Sequence, residues 1–368
     1  MERLTEKQMI EKLRSLTFPP LTLQLRDTER LPDLLPSERD RPNTRIDIAW
    51  NNDIYRFVAE IKTLSTPKII DFAIWRLTDY LSSKNIGVAD EQLYPLIIAP
   101  YLSAERLDRL ASAGISGIDL SGNGIVIVPA QMFVYRSGGP NRFPSSDAIK
   151  NVYRGSSSIV ARTFLRKQAY STVTEVMDEI KEGEGNLSLG TISKVLRSLE
   201  NDLLIARGPE IKLIDAKGLI SKLRENYRSP VQQRRLVGKV EQFDKALGTI
   251  TSNCSRNAIR CAVHDPQRYA VFPTVGMPTR IYTESITTSL EGIDLDETER
   301  FPNVEFIETT DTPVYFDRRR TPGDSAYYTS PLQTYLDLTV GEKREQDAAE
   351  QVAAMLLRIE NGAQLPAK

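Results

Sequence analysis

Asp47, Glu60 and Lys62 are the residues of this chain whose types and spacing could do chemistry together. Asp47 lies inside RIDIAW, residues 45–50, and Glu60 and Lys62 close YRFVAEIK, residues 55–62. Between the two runs, Asn51, Asn52 and Asp53 form a turn signal. Strands joined by so short a turn run antiparallel, and their side chains alternate faces. Ile46, Ile48 and Trp50 share one face, as do Tyr55, Phe57, Ala59 and Ile61. Pairing apolar with apolar predicts that Asp47, Glu60 and Lys62 meet on the opposite face. Two carboxylates there would hold Mg²⁺ with water positions left open. The metal would polarise a phosphate and acidify an attacking water, and the lysine would steady the developing charge. The same alternation also describes the wet face of an ordinary half-buried hairpin.

The elements around these residues predict what positions them. A helix is expected from Glu2 to Leu16, then the two strands. Ile69, Ile70, Ala73, Leu77 and Leu81 recur at helical spacing over residues 66–83. YPLIIAPYL reads as a buried strand, SAERLDRLASAG as a helix with a Ser cap and a Gly stop, and GIDL with IVIVP as a closing hairpin. The order α-β-β-α-β-α-β-β with Asp47, twelve intervening residues and Glu60-Ile-Lys62 resembles the PD-(D/E)XK nucleases of restriction-endonuclease-like fold. Ile46 stands where the motif name has Pro. The resemblance implies a mixed sheet over residues 1–136, with Asp47 and Glu60 as metal ligands, Lys62 as the catalytic lysine, Glu11 on the first helix as a further ligand, and Mg²⁺ as the cofactor of a nuclease.

The chain has 368 residues, enough for two or three domains, and carries a net charge of −1. That average hides a basic middle. Residues 150–245 hold 18 Lys and Arg against 12 Asp and Glu, a net of +6, which leaves −7 for the rest. A basic segment between acidic flanks points to an anionic partner, and nucleic acid is the first expectation. Residues 160–215 read as three helices and a strand pair. Val173, Val176, Met177 and Ile180 form one stripe, residues 183–186 break it, and Ser188 can cap the next helix. There Ile192, Val195, Leu196 and Leu199 face inward, leaving Thr191, Lys194, Arg197 and Asn201 outside. Residues 203–207 and 210–214 make a hairpin with Gly208-Pro209 at its tip. TISKVLRSLENDLLI and this hairpin resemble a winged helix-turn-helix, expected over 150–228. The resemblance implies duplex DNA as partner, a helix in the major groove and a wing on the backbone. Ser188, Thr191, Lys194, Arg197, Arg207 and Lys212 are the expected contacts. A helical linker bundle, or a winged helix serving protein contacts, would show the same pattern.

Residues 240–368 predict an α+β unit. RYAVFPTV, TRIYTES, NVEFIET and PVYFDRR are strand-like, and SPLQTYLDLTV and residues 342–361 are helical. Arg234 and Arg235 read as part of a solvated helix face, and Asp317 with Arg318, Arg319 and Arg320 as a solvated loop. NVEFIETTDTPVYF, then SPLQTYLDL, GEKR and DAAE, resemble the closing part of AbiEi-type antitoxins, transcriptional regulators of type IV toxin–antitoxin pairs. That resemblance implies repression of the protein's own operon, binding as a homodimer to an inverted repeat, and opposition to a nucleotidyltransferase-like toxin without a stable complex. The fold class expected is thus a multidomain mixture of α/β and α+β.

Cys254, Cys261 and the single His264 offer no four-ligand metal set and read as packing residues. One histidine also argues against a Ser-His or Cys-His mechanism elsewhere. With no signal-like start and no apolar run near the ~18 residues a bilayer requires, a cytoplasmic protein without membrane partners is expected.

Overall fold

Alternating apolar residues build the first half of the chain around one mixed sheet. The computed structural model describes residues 4–25, 44–84, 92–143, 151–271 and 278–359. The chain divides into two compact units, Met1–Lys150 and Asn151–Lys368. In the first, α1 (Glu6–Arg14) opens on a capping box in which Thr5 and Gln8 satisfy each other's backbone N–H groups. It is followed by β1 (Thr22–Leu25), β2 (Thr44–Trp50), β3 (Asp53–Ile61), α2 (Pro67–Lys84), β4 (Leu93–Ala99), α3 (Ala104–Ser112), β5 (Ser116–Asp119), β6 (Gly124–Val128) and β7 (Met132–Arg136). The seven strands lie in chain order. β3–β4 and β4–β5 are parallel because α2 and α3 carry the chain back across the sheet; the remaining pairs are antiparallel.

Each sheet face has its own apolar layer. Met9 and Leu13 of α1 pack with Ile46, Ile48, Phe57, Ala59 and Ile61 on one side. Ile70, Ala73, Leu77, Leu107 and Leu110 of α2 and α3 pack with Val58, Ile97 and Ile125 on the other. Each Leu, Ile, Val, Phe or Met side chain among them contributes about 1.5–3 kcal/mol when fully buried. The order expected from the sequence is present with two additions, β1 and β7. Both are edge strands, only four and five residues long. Phe133 and Tyr135 of β7 are exposed, so its outward positions are aromatic and the sequence shows no apolar–polar alternation to announce it.

The second unit opens with α4 (Ser158–Thr163), β8 (Ala169–Tyr170), α5 (Val173–Glu182), α6 (Leu189–Asn201), β9 (Ile205–Arg207), β10 (Ile211–Leu213) and α7 (Ala216–Asn226). Its three short strands form a sheet of order β8-β10-β9. The chain continues through β11 (Arg234–Val240), α8 (Phe243–Arg256), β12 (Cys261–His264), β13 (Thr279–Thr283), α9 (Ile286–Ser289), β14 (Leu295–Glu297), β15 (Val304–Glu308), α10 (Thr312–Tyr315), α11 (Pro331–Thr339) and α12 (Lys343–Ile359). A five-stranded mixed sheet, β12-β13-β15-β11-β14, is backed by α8 through Leu247, Ile250 and Cys254. The segments expected as 150–228 and 240–368 both fall within this unit.

The architecture is a mixture of sheet and helix in both units, with three local departures from expectation. Arg234 and Arg235 lie on strand β11 rather than on a helix. PVYFDRR is not a strand, because Pro313 starts the short helix α10, which buries Val314 and Tyr315. In RYAVFPTV the described residues follow a single 3₁₀ turn, Pro266–Arg268, and residues 272–275 lie outside the described residues. Among the described residues no helix is long and apolar enough to cross a membrane.

Candidate functional site

Strand register decides what the acidic pair can do. Asn51, at φ 55°, turns the chain so that Trp50 faces Asp53, and Asp47 therefore lies opposite Arg56. Glu60 is four residues further along β3, which at roughly 3.3 Å per residue is about 13 Å along the strand. Asp47 and Glu60 share a face, as expected, but they do not converge. Glu11 belongs to a helix on the other side of the sheet. Its helix packs through Met9 and Leu13 on the face carrying Phe57 and Ala59, the opposite side from Glu60. Among the described residues no three His, Cys, Asp or Glu side chains gather closely enough to hold a metal ion. The donor set Asp47, Glu60 and Glu11 does not fit Mg²⁺.

Glu60 and Lys62 do meet. Lys62 Nζ stands 3.0 Å from Glu60 Oε2, and Arg76 Nη1 of α2 stands 2.9 Å from Oε1. Neither contact is aligned as a hydrogen bond. The Glu60 side chain is only 1% exposed. Its charge is balanced by two cations before any ligand arrives. The sequence does not single out Arg76; its one signal is a cation next to Leu77 on a helix whose Ala73 and Leu77 are buried. Lys62 also lines a cleft of about 360 Å³ with Glu6, Leu64, Ile69 and Phe72.

The α6 face is arranged differently. Ser188 caps the helix by accepting from Thr191 N at 3.2 Å, and its hydroxyl lies 3.0 Å from that of Thr191. Ile192, Val195, Leu196 and Leu199 are completely buried. That fixes which way the helix is turned, and it puts Lys194 and Arg197, one turn apart, on the exposed side. Neither makes an ion pair with a described residue. Arg207 and Lys212 are also exposed. In the hairpin Arg207 faces Ile211 and Lys212 faces Ala206, so the two basic side chains lie on opposite faces of the ribbon. Lys194 and Arg197 are neighbours on the exposed side of α6, with Ser188 and Thr191 at its N-terminal end.

A third group of functional side chains is buried in the second unit. Arg162 of α4 donates from Nη1 to the Pro313 carbonyl (3.0 Å) and to Gln333 Oε1 (2.8 Å). Gln333 Nε2 donates to the Tyr227 hydroxyl (2.9 Å) and to Asp337 Oδ1 (3.0 Å), and the Tyr227 hydroxyl donates to the same oxygen. Asp337 Oδ2 faces His264 Nδ1 at 3.5 Å, a contact rather than a hydrogen bond. Burial pushes the His264 pKa down to about 4 against the opposing pull of Asp337. Burial also brings Arg162 down to about 10, and it remains charged at neutral pH. Tyr227 is held well above the ordinary phenol range by burial and then by the Asp337 charge. Gln333 and Asp337 belong to SPLQTYLDL, where the i, i+4 spacing puts them on one side of α11.

His264 is buried, and it also lines a cavity. One expectation changes here. Arg318 is not solvated: it binds Glu184 at 2.7 and 2.9 Å and the Cys261 carbonyl at 2.8 Å, and lies 4.3 Å from the Tyr327 ring centre. Cys254 and Cys261 are both buried and free, as packing residues would be. The two thiols act on each other, and the Cys254 pKa is lowered while that of Cys261 is raised. No family profile, no curated protein and no solved structure matches the chain.

Proposed function

We propose that this protein is a DNA-binding transcriptional regulator that reads duplex DNA with α6. The observation that carries this is the exposed pair Lys194 and Arg197 on a helix whose other side is locked by four fully buried apolar residues. The order helix, strand, helix, helix, strand, strand, with the sheet β8-β10-β9, supports a winged helix-turn-helix reading. In that arrangement α6 enters the major groove, its capped N-terminus approaches a phosphate, and the β9–β10 ribbon follows the backbone. The closing segment supports a regulator of the AbiEi antitoxin type. Such a protein would act as a dimer on an inverted repeat within its own operon, and would oppose a nucleotidyltransferase-like toxin without a lasting complex.

The test is binding of the full chain to DNA from its own upstream region at several salt concentrations. Changing Lys194 and Arg197 together to Ala is expected to weaken binding by about 1–3 kcal/mol for each base that these side chains read. The salt slope should fall by about 0.9 for each phosphate that they neutralise. Unchanged affinity and slope would remove α6 as the reading element.

The alternative is a Mg²⁺-dependent DNA nuclease positioned by the same helix. The closeness of Glu60 and Lys62 favours it. The separation of Asp47 and Glu60, and the balancing of Glu60 by Arg76, weigh against it. Plasmid and single-stranded DNA are expected to survive incubation with the protein and Mg²⁺ or Mn²⁺. Cleavage that disappears in Glu60→Ala would reverse this choice.

A further inference from the structure

Helix α2 buries one side and carries a pattern of its own on the other. Ile70, Ala73, Leu77 and Tyr80 are buried in the layer with Val58 and Ile97, which fixes the rotation of the helix. Lys68, Phe72, Trp75 and Asp79 are then all exposed. They stand at i, i+4, i+7 and i+11, so they form a single stripe along the helix. At 1.5 Å per residue the stripe is about 16 Å long. Phe72 is 54% exposed and Trp75 61%. Their rings stack on each other, with centres 5.8 Å and planes 27° apart.

Two stacked rings left in water forgo the gain of burial. An exposed aromatic patch with charges at its rim marks an interaction surface, and here the order of residues says with what. The intervals of four, three and four residues read the same from either end, and the two ends carry opposite charges. Set antiparallel against a copy of itself, about a two-fold axis between Ala73 and Ile74, the stripe puts Phe72 against Trp75 of the partner subunit. It also puts Lys68 against Asp79 of the partner subunit, and the symmetry makes each contact twice. A parallel pair would set like charges together at both ends. A nucleic acid stacking on the rings would meet the carboxylate of Asp79 at one end of them.

We propose that α2 is a homodimer interface, in which two copies of the helix cross antiparallel through the Phe72–Trp75 stack and Lys68 and Asp79 set the direction. The rings supply the affinity, since exposed ion pairs contribute little beyond orientation. A single helix pair covers less than the roughly 800 Å² per partner of a standard interface, so the dimer dissociates in the micromolar range. This surface is independent of whether α6 binds DNA.

The test is sedimentation velocity of the full chain without DNA, at concentrations from about 1 to 100 μM, where a complex of this size dissociates. The wild type should pass from monomer to dimer across that range. Trp75→Ala removes two rings from each dimer and should weaken association about a hundredfold. Lys68→Glu and Asp79→Lys each set like charges against one another twice, and each should weaken it about tenfold. An equimolar mixture of those two variants should recover the dimer, because the mixed pair alone has opposite charges at both ends. Damage to the fold cannot produce recovery on mixing. A monomer at every concentration, a dimer insensitive to Trp75→Ala, charge variants that associate like the wild type, or a mixture no tighter than its components would overturn the proposal. If Trp75→Ala fails to fold, the charge variants and their mixture decide alone. DNA binding by α6 is measured separately, so either reading can fail without the other.

Discussion

The Glu60 cluster and the α6 face both carry charged side chains at positions the sequence marks, yet they treat charge in opposite ways. Glu60 is enclosed, with Lys62 and Arg76 at 3.0 and 2.9 Å. Lys194 and Arg197 stand outside with no ion pair to a described residue. A buried charge must be compensated from within the chain, because leaving water without a partner is too costly. An exposed cation with no internal partner costs little and is available to an external anion. The difference is one of place: the charge of Glu60 is compensated from within the chain, and those of Lys194 and Arg197 are left to solvent.

Glu60→Ala should produce the largest effect. It leaves two half-enclosed cations facing each other, and about 3–5 kcal/mol of stability should be lost. Urea unfolding of the full chain measures it; a loss below about 1 kcal/mol, the scale of an exposed pair, would make the cluster resemble the open α6 surface after all. His264 extends the comparison to a buried group without a charge. Its folded pKa, about 4, lies below the ordinary 6.5. The stability tied to the neutral ring is therefore complete above pH 6.5 and is lost as pH falls towards 4, because the unfolded chain takes up the proton first. Over that window the wild type should lose about 3 kcal/mol more than His264→Gln. Parallel pH curves for the two proteins would mean that the ring is solvated.

Smaller effects are expected at the helix proposed to read DNA. Ser188→Ala removes the hydroxyl that accepts from Thr191 N, and should cost about 1 kcal/mol in thermal or urea unfolding. Lys194→Ala with Arg197→Ala should change stability by less than about 0.5 kcal/mol, because both side chains point away from the core. A substantial loss there would show that these cations have a partner within the chain, and would erase the contrast.

Much of the α6 region was legible from its residues. Val176, Ile180, Ile192, Val195, Leu196 and Leu199 repeat at helical spacing, and all are fully buried. Ser188 sits where a cap is needed, and Gly208-Pro209 where a ribbon must turn. Local rules were enough because a helix fixes its neighbours within one turn. The first unit was less transparent. Alternation told which face Asp47 and Glu60 occupy, but nothing local told how far apart they lie along the strands. That distance follows from the register set at Asn51. The meetings of Arg76 with Glu60 and of His264 with Asp337 join separate elements, so local spacing held no sign of them.

What the sequence determined by itself is what depends on near neighbours: the helical stripes, the caps, the turn at Asn51, the alternation of β2 and β3, and the basic balance of the middle segment. Tertiary structure alone decided which charges are compensated. It separated Asp47 from Glu60, brought Arg76 to Glu60, and placed the only histidine between Asp337 and a cavity. The physical reason is that an ionisable group takes its character from desolvation and from charges a few ångströms away, and those neighbours are chosen by the packing of sheets and helices.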